Sequence, residues 1–523
     1  MDFNDSLVGL VGLSTAILGL RLSQSKPAPR GWLAVLAVLI AVLAVGSWLL
    51  PGYVGYVALA AWGCLVLLPT LGQRVAIRWA NAGRPRMARH LARLVTLAHP
   101  ADGWSDTREF VETLVALQQG DAEQANRLLA GLQTRDTQFG RSAVALAIRQ
   151  SGEWERFLRD IERSGLKRLI LADGNMLDVY LQALGETGQI PAMLAEYGRR
   201  PGLHSHATAQ LRIAALTGDV ETTRRLLNGG LSEWPADVRR FWIATARQAR
   251  GDDAALDDFH ELSRSHNLLV SNLSRRRTEQ PLAVVRPADL SADDQLLLDR
   301  LHHDVRHDAR YAVLTRKTSG WPWVTLLLTL AMIANFLREI PGGVENYGNL
   351  VDKGAIVIAD FPDDWPESRY DEWWRPFSAA FVHFGWAHFL MNIVALLYLG
   401  RQLELSWGHT GMLLCFFVAV FVSMAVTPRF LPTEEHDLQL LAGASGGIMG
   451  LLGGLLGHLI AGWLRHRTPE VQRQMLLLLM LVVLQTTFDF LHPYVSYHAH
   501  LLGLATGLTI GCLWGAAART ETA

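Results

Sequence analysis

Nine stretches of the chain are apolar and almost free of charge. Three lie at the start, at about 6–20, 31–50 and 53–72, and six near the end, at about 323–338, 382–400, 410–427, 443–462, 474–490 and 498–515. Most approach the roughly 20 residues a helix needs to cross the hydrocarbon core of a bilayer, and the first is the shortest. The stretch between the two groups is different. Residues 74–320 hold 66 of the 97 charged side chains, against 5 in residues 1–73 and 26 in residues 321–523. A polar middle therefore separates two membrane-like ends.

The flanking charges orient these runs. Asp2 and Asp5 precede the first run, and Arg21, Lys26 and Arg30 follow it. A secretory signal carries its basic residues first, so this order predicts a retained helix with its N-terminus outside. After the third run come Arg74, Arg78, Arg84, Arg86, Arg89 and Arg93. Cations this dense beside a membrane mark the cytoplasmic side. Six further crossings from a cytoplasmic residue 320 put the basic loop at Arg465, Arg467 and Arg473 inside, as its charge requires, and the C-terminus inside as well. The expectation is nine spans, residues 75–320 in the cytoplasm, and a bacterial inner membrane as the host.

Within the polar middle, glycine turns recur at Gly120-Asp121, Gly152-Glu153, Gly188-Gln189, Gly218-Asp219 and Gly251-Asp252, with spacings of 32, 36, 30 and 33. Each turn lies between two apolar helical stretches. A period near 34 with helix–turn–helix units resembles a tetratricopeptide-type α-solenoid in architecture, over residues 74–263. Residues 264–290, with Arg275-Arg276-Arg277, Pro281 and Pro287, read as a linker. A helix is expected at 291–312, capped by Ser291 with Asp294 in the capping-box position.

Composition narrows the classes. The chain has 523 residues, a formal net charge of −1 and 50% hydrophobic residues, which excludes a disordered chain and leaves no nucleic-acid footprint. Cys64, Cys415 and Cys512 sit in apolar runs and cannot form a disulfide framework or a four-cysteine metal site.

Polar residues inside membrane helices are costly and point to function. His383, His388 and Asn392 fall in the second of the last six runs, Gly443-Ala444-Ser445-Gly446 opens the fourth, and His498 and His500 open the sixth. A lone G-x-S-G is weak, because small residues are the usual packing surface of membrane helices. Its context is stronger. Gly446, Gly450, Gly453 and Gly457 leave one face of the fourth helix bare, and Gly503, Gly507 and Gly511 do the same for the sixth. Two bare stripes allow close backbone approach. His500 shares the stripe's face and can meet Ser445, whereas His498, two residues earlier, points elsewhere. A serine needs such a base to become a nucleophile. His388 and Asn392, four apart on one face, can either donate to a developing oxyanion or tie helices together. No third acid is evident.

Together these residues resemble the rhomboid family of intramembrane serine proteases. The matching pattern is Trp374-Arg375, then His383-x4-His388-x3-Asn392, Gly443-x-Ser445-Gly446, and Ala499-His500-x2-Gly503-x3-Gly507, within residues 321–515. The resemblance implies a Ser445–His500 dyad and an oxyanion hole from His388, Asn392 and the N–H of Ser445. It also implies cleavage of a substrate's transmembrane helix near its outer end, with Trp374 and Arg375 structural. Met449 stands where the family often has an aromatic residue against the histidine ring. The expected fold is all-α and polytopic: three N-terminal transmembrane helices (1–73), cytoplasmic repeats (74–263), a linker and helix (264–320) and a six-helix rhomboid-like core (321–517). His383, Gly443, Gly446, Gly450, Gly503 and Gly507 are expected to serve packing. Expected partners are transmembrane proteins, the lipid bilayer and a cytoplasmic protein on the repeats, without nucleic acid, metal or other cofactor. No H-E-x-x-H occurs, and His302, His303 and His307 read as a solvated helix face. The competing readings are an inactive rhomboid-like protein that binds membrane helices and a membrane-tethered adaptor built on the solenoid.

Overall fold

A computed structural model describes residues 3–24, 30–98, 105–312, 314, 320–358, 372–430, 439–491 and 496–517. It divides into two compact units, Met1–His303 and Asp304–Ala523. Among the described residues, seven helices are long and apolar enough to cross a membrane. One of these, Gly385–Arg429, contains two of the expected runs, and the first run survives as a shorter apolar helix, Leu7–Leu20.

The first unit opens with helices Phe3–Gln24 and Arg30–Leu49. The next helix, Val54–Trp62, continues through a π turn at Gly63–Leu67 into Leu68–Asn81. The third run is thus longer than its apolar stretch, because its basic end stays helical and packs on the helix Pro85–Ala98. Asn4 stitches the N-terminal helices together: its Oδ1 accepts from Gly55 N at 2.7 Å and its Nδ2 donates to Pro51 O at 2.9 Å.

Five helical hairpins follow. They are Ser105–Gln119 with Ala122–Gln133, Gln138–Ser151 with Trp154–Ser164, Gly174–Glu186 with Ile190–Gly198, Ala207–Leu216 with Val220–Asn228, and Ala236–Ala249 with Ala255–Leu262. Every glycine of the periodic turns sits between the two helices of one hairpin, and all five have positive φ, from 65° at Gly152 to 89° at Gly251. That is the left-handed region that ends a helix without steric cost for glycine. Asp121 and Asp219 then cap the second helix, accepting from Gln124 N and Thr222 N, each at 2.9 Å.

One expectation for this unit is corrected. The segment read as a linker contains a helix, Leu268–Glu279, capped by Asn267. It packs on the first helices of the first, second and fifth hairpins, and Arg277 is buried in an ion pair with Glu186 at 2.8 Å. Pro281 and Pro287, which marked a linker in the sequence, do not prevent a helix before them. His302, expected on a solvated face, keeps a 41% exposed side chain, and its Nδ1 lies 2.9 Å from Thr222 Oγ1. Ser291 does cap the helix Ala292–Tyr311, accepting from Asp294 N at 3.1 Å.

The second unit holds six apolar helices. The first is Trp323–Glu339. The second runs from Gly385 through a π turn at Leu396–Gly400 to Trp407, and Gly408, with φ 79° and ψ 174°, separates it from the third, which ends at Val426. The fourth is Ser445–His466, the fifth Pro469–Leu491 and the sixth Tyr497–Ala517. A buried carboxylate closes the start of the first: Glu404 accepts from Val324 N and Thr325 N, both at 2.8 Å, and from Thr325 Oγ1 at 2.6 Å. Orphan N–H groups at a helix start favour such an anion. His307, expected on a solvated face, stacks on His466 with ring centroids 3.5 Å apart.

The long loop before the second helix is partly structured. It carries a helix at Tyr347–Asp352 and strand β1 at Ile356–Ile358, which pairs antiparallel with strand β2, Gln439–Leu441, in the register Ile356↔Leu441. Residues 359–371 of that loop lie outside the described residues.

Candidate active site

The site is built around the fourth and sixth helices of the second unit. They run in the same direction, and their glycines meet backbone to backbone. A Cβ on Gly503 would stand 3.1 Å from Gly446 Cα, one on Gly507 2.7 Å from Gly450 Cα, and one on Gly511 3.0 Å from Gly454 Cα. Gly453 and Gly457 face the backbone of Leu508 and Cys512 in the same way, each 2.7 Å from the facing N. The expected stripes are therefore in contact, with Gly454 added. Lipid supplies no hydrophobic drive between helices, so this close approach supplies the attraction.

That register brings Gly446, next to Ser445, against Ala499 O, next to His500. Ser445 is the first residue of its helix, and Gly446 after it faces Ala499 O and Gly503. The N–H groups of Ser445, Gly446 and Gly447 have no carbonyl of their own helix to meet, which makes this end an anion-accepting site. Among the described residues, no hydrogen bond joins Ser445 Oγ to His500. Hydrogen bonds of this kind are often long without substrate.

Gly443 shapes the approach. Its φ is 113°, its N donates to Ala379 O at 2.8 Å, and a Cβ there would lie 2.7 Å from His388 Nε2. His388 is thus packed against the backbone two residues before the serine, within electrostatic reach of His500. Asn392 is buried, and its Nδ2 donates to His388 O at 2.9 Å. His383 is fully buried behind them, its ring 5.4 Å from that of His388. Its backbone N donates to Glu339 Oε2 at 3.3 Å, and its Nε2 has no partner among the described residues.

His498 turns away: it stacks on Phe430 with a 3° interplanar angle. Arg375 is buried and braces the loop, donating to Ala355 O at 2.7 Å, Val351 O at 3.0 Å and Glu372 Oε2 at 2.9 Å. Trp374 is half-exposed, with the Arg375 guanidinium 5.1 Å from its ring centre. Met449 is buried in the core of the unit.

One residue escaped the sequence reading. Asp489, near the end of the fifth helix, lies with its Oδ2 2.8 Å from His500 Nδ1, and both side chains are buried. The available signal was that Asp489 is the only carboxylate between Glu470 and Glu521, inside an apolar run.

Comparison with known sequences agrees with this fold. The family described as "Rhomboid domain" matches residues 370–517. RHOMBOID-like protein 4 of Arabidopsis thaliana is 31% identical over 141 residues, covering 27% of this chain and 34% of that protein. Rhomboid protease GlpG of Klebsiella pneumoniae is 29% identical over 205 residues, 38% of this chain and 65% of that protein. Rhomboid protease GluP of Bacillus subtilis is 30% identical over 193 residues, 36% of this chain and 34% of that protein. The chain is a multi-pass helical membrane protein whose residues 370–517 match a rhomboid domain. The matched segments span between about a third and two thirds of these relatives' own lengths.

Proposed function

We propose that the chain is an intramembrane serine endopeptidase that cleaves transmembrane helices near their extracytoplasmic end. The observation that supports this reading is the glycine-to-glycine contact of the two helices, with Gly446 after Ser445 facing Gly503 and Ala499 O beside His500. In the proposed reaction Ser445 Oγ attacks the scissile carbonyl while His500 takes its proton. The N–H of Ser445, with His388 and Asn392, stabilises the tetrahedral oxyanion. His500 returns the proton to the leaving amine, the C–N bond breaks, and water hydrolyses the acyl-enzyme. A helical substrate must unwind locally, because its carbonyls are otherwise hydrogen-bonded.

The orientation belongs to the same proposal: N-terminus outside, residues 75–320 in the cytoplasm and C-terminus inside. The solenoid would then offer its surface to a cytoplasmic protein. The host membrane is proposed to be a bacterial inner membrane, on the charge pattern alone, since relatives come from both bacteria and a plant. A second reading, an inactive rhomboid-like protein that binds membrane helices, draws on the unmade Ser445–His500 hydrogen bond.

Turnover of a single-span membrane substrate by purified variants separates them. Ser445→Ala and His500→Ala are each expected to abolish cleavage, and His498→Ala to leave it. His388→Ala or Asn392→Ala is expected to lower kcat, by up to the ~2.7–4 kcal/mol of a single oxyanion donor. Full activity of Ser445→Ala would end the protease reading.

A further inference from the structure

We propose that Asp489 is a positioning residue for His500, so that the serine site works as a buried Asp–His–Ser relay. This rests on the reading of Ser445 as nucleophile and of His500 as its base. The carboxylate comes from the fifth helix, Pro469–Leu491, which lies between the serine and histidine helices in sequence.

The geometry is specific. Asp489 Oδ2 is 2.8 Å from His500 Nδ1, and Asp489 Oδ1 accepts from Gln485 Nε2 at 2.7 Å, one turn earlier on the same helix. Both carboxylate oxygens are therefore engaged, and the side chain is 2% exposed. An ionised carboxylate can only accept, so this contact keeps the His500 proton on Nδ1. The lone pair of Nε2 is then free for the Ser445 hydroxyl. Without a partner at Nδ1 the ring can hold its proton on either nitrogen and rotate freely.

The other groups around His500 do not supply this. His388, within electrostatic reach on the second helix, is itself an imidazole and adds no anion. His498 stacks on Phe430, and Arg429 beside that phenylalanine is exposed and donates to Ala425 O at 2.8 Å. The start of the serine helix, Ser445-Gly446-Gly447-Ile448-Met449, carries no charge.

The consequence for the reaction is defined by proton movement. As the Oγ–C bond forms, the serine proton passes to Nε2 and His500 becomes an imidazolium. Asp489 keeps its negative charge and stabilises that cation, without itself taking the proton. The proton then leaves Nε2 for the departing amine nitrogen as the C–N bond breaks. The same cycle repeats with water against the acyl-enzyme. Asp489 touches neither substrate nor reacting atom, so its effect must appear in kcat and not in KM.

The test compares full-length Asp489→Asn, Asp489→Glu, Gln485→Leu, Ser445→Ala and wild type, purified in detergent. Two probes are used: cleavage of a single-span membrane peptide with small residues near its outer end, and labelling of Ser445 by a fluorophosphonate. Asp489→Asn is expected to keep KM and the unfolding midpoint, and to lose roughly 10²–10⁴-fold in kcat and in labelling rate. Asp489→Glu should recover part of the loss, and Gln485→Leu should lose less than Asp489→Asn. Nitrogen NMR of labelled His500 should show one Nδ1–H tautomer in wild type and a mixture in Asp489→Asn. If Asp489→Asn turns over like wild type while Ser445→Ala is inactive, the relay is overturned and the protease reading stands. If the loss follows a lowered unfolding midpoint and Glu rescues nothing, Asp489 is a structural tie between helices and the proposal is wrong. If Ser445→Ala cleaves normally, the protease reading itself fails.

Discussion

The interior of the solenoid and the interior of the membrane unit are held together by opposite means. In the solenoid, alanines and leucines such as Leu117, Ala143, Leu181, Leu211 and Ala246 are buried at helix contacts. Water drives that burial, at about 25 cal/mol per Å². The same layer also carries charge. Arg212 is buried with its Nη1 2.9 Å from Asp178 Oδ1, and Arg149 Nη2 donates to Asp178 Oδ2 at 2.6 Å. Burial pulls the Arg212 guanidinium down to about 10, with Asp178 opposing that shift, so it stays charged at neutral pH. Between the serine and histidine helices there are almost no side chains at all. Backbone meets backbone at Gly446, Gly450 and Gly454, facing Gly503, Gly507 and Gly511. Where the solvent itself is apolar, large side chains gain little by meeting each other, and close contact of bare helices gains more. A buried charge needs a partner in either unit. The solenoid answers with salt bridges, and the membrane unit with Glu404 on a helix start and Asp489 on His500.

The strongest way to break the contrast is to put a side chain into the bare seam. Gly507→Val would drive carbon atoms into the backbone of Gly450, which cannot move aside as a flexible side chain can. The expected result is loss of cleavage and at least about 3 kcal/mol of stability, read from unfolding in detergent. A normal midpoint and normal activity would mean that the seam is not load-carrying.

The solenoid should respond to charge, not to bulk. Asp178→Ala leaves Arg212 buried without its counter-charge, and breaking such a pair costs about 3–5 kcal/mol. Hydrogen exchange in the helix Ala207–Leu216 should accelerate by roughly two to four decades if local opening governs it. Unchanged protection there would show that Glu186 and Gln182, whose Oε1 accepts from Arg212 Nε at 3.4 Å, suffice to hold the buried cation.

A third variant tests a buried acid outside the spans. Asp308 accepts from Thr468 Oγ1 at 2.6 Å, and its carboxyl is pushed up to about 7 by burial first, with Glu470 and Asp304 adding to the rise. A raised acid pKa means that the folded state holds a proton the unfolded state releases. Stability from this group is therefore present below pH ~4 and lost as pH rises toward 7. The ceiling is about 4 kcal/mol, and residual solvent access brings the expected change to about 1–2 kcal/mol. Asp308→Asn should flatten the fall in unfolding midpoint between pH 5 and pH 8. An equal fall in both proteins would remove Asp308 from the account.

The smallest expected effect is the mirror image of the first. Gly131 lies inside a solenoid helix, and a Cβ there would meet open space. Gly131→Ala should stabilise the protein by about 0.5–1 kcal/mol, because alanine loses less backbone entropy on folding. The same change at Gly507 should be harmful, and the pair of measurements gives the contrast its sign.

The apolar runs alone determined where the membrane helices would fall, because a bilayer demands about 20 apolar residues whatever the fold. The glycine period determined the five hairpins, since each turn needs a left-handed residue at its bend. The motifs also brought out Ser445, His388, Asn392 and His500 as candidates. Three features were decided only in three dimensions. The helix Leu268–Glu279 forms against its neighbours, and its arginine run hides the fact that Arg277 has a buried partner, Glu186, 91 residues away. The third apolar run continues to Asn81 because its basic end finds a helix to pack against. Asp489 becomes informative only when the fifth helix brings it to His500, 11 residues along the chain but on the next helix. Periodicity reports the face a residue occupies on its own helix. It does not report which side chain from another helix will stand opposite, and that is set by the register in which the bare stripes lock.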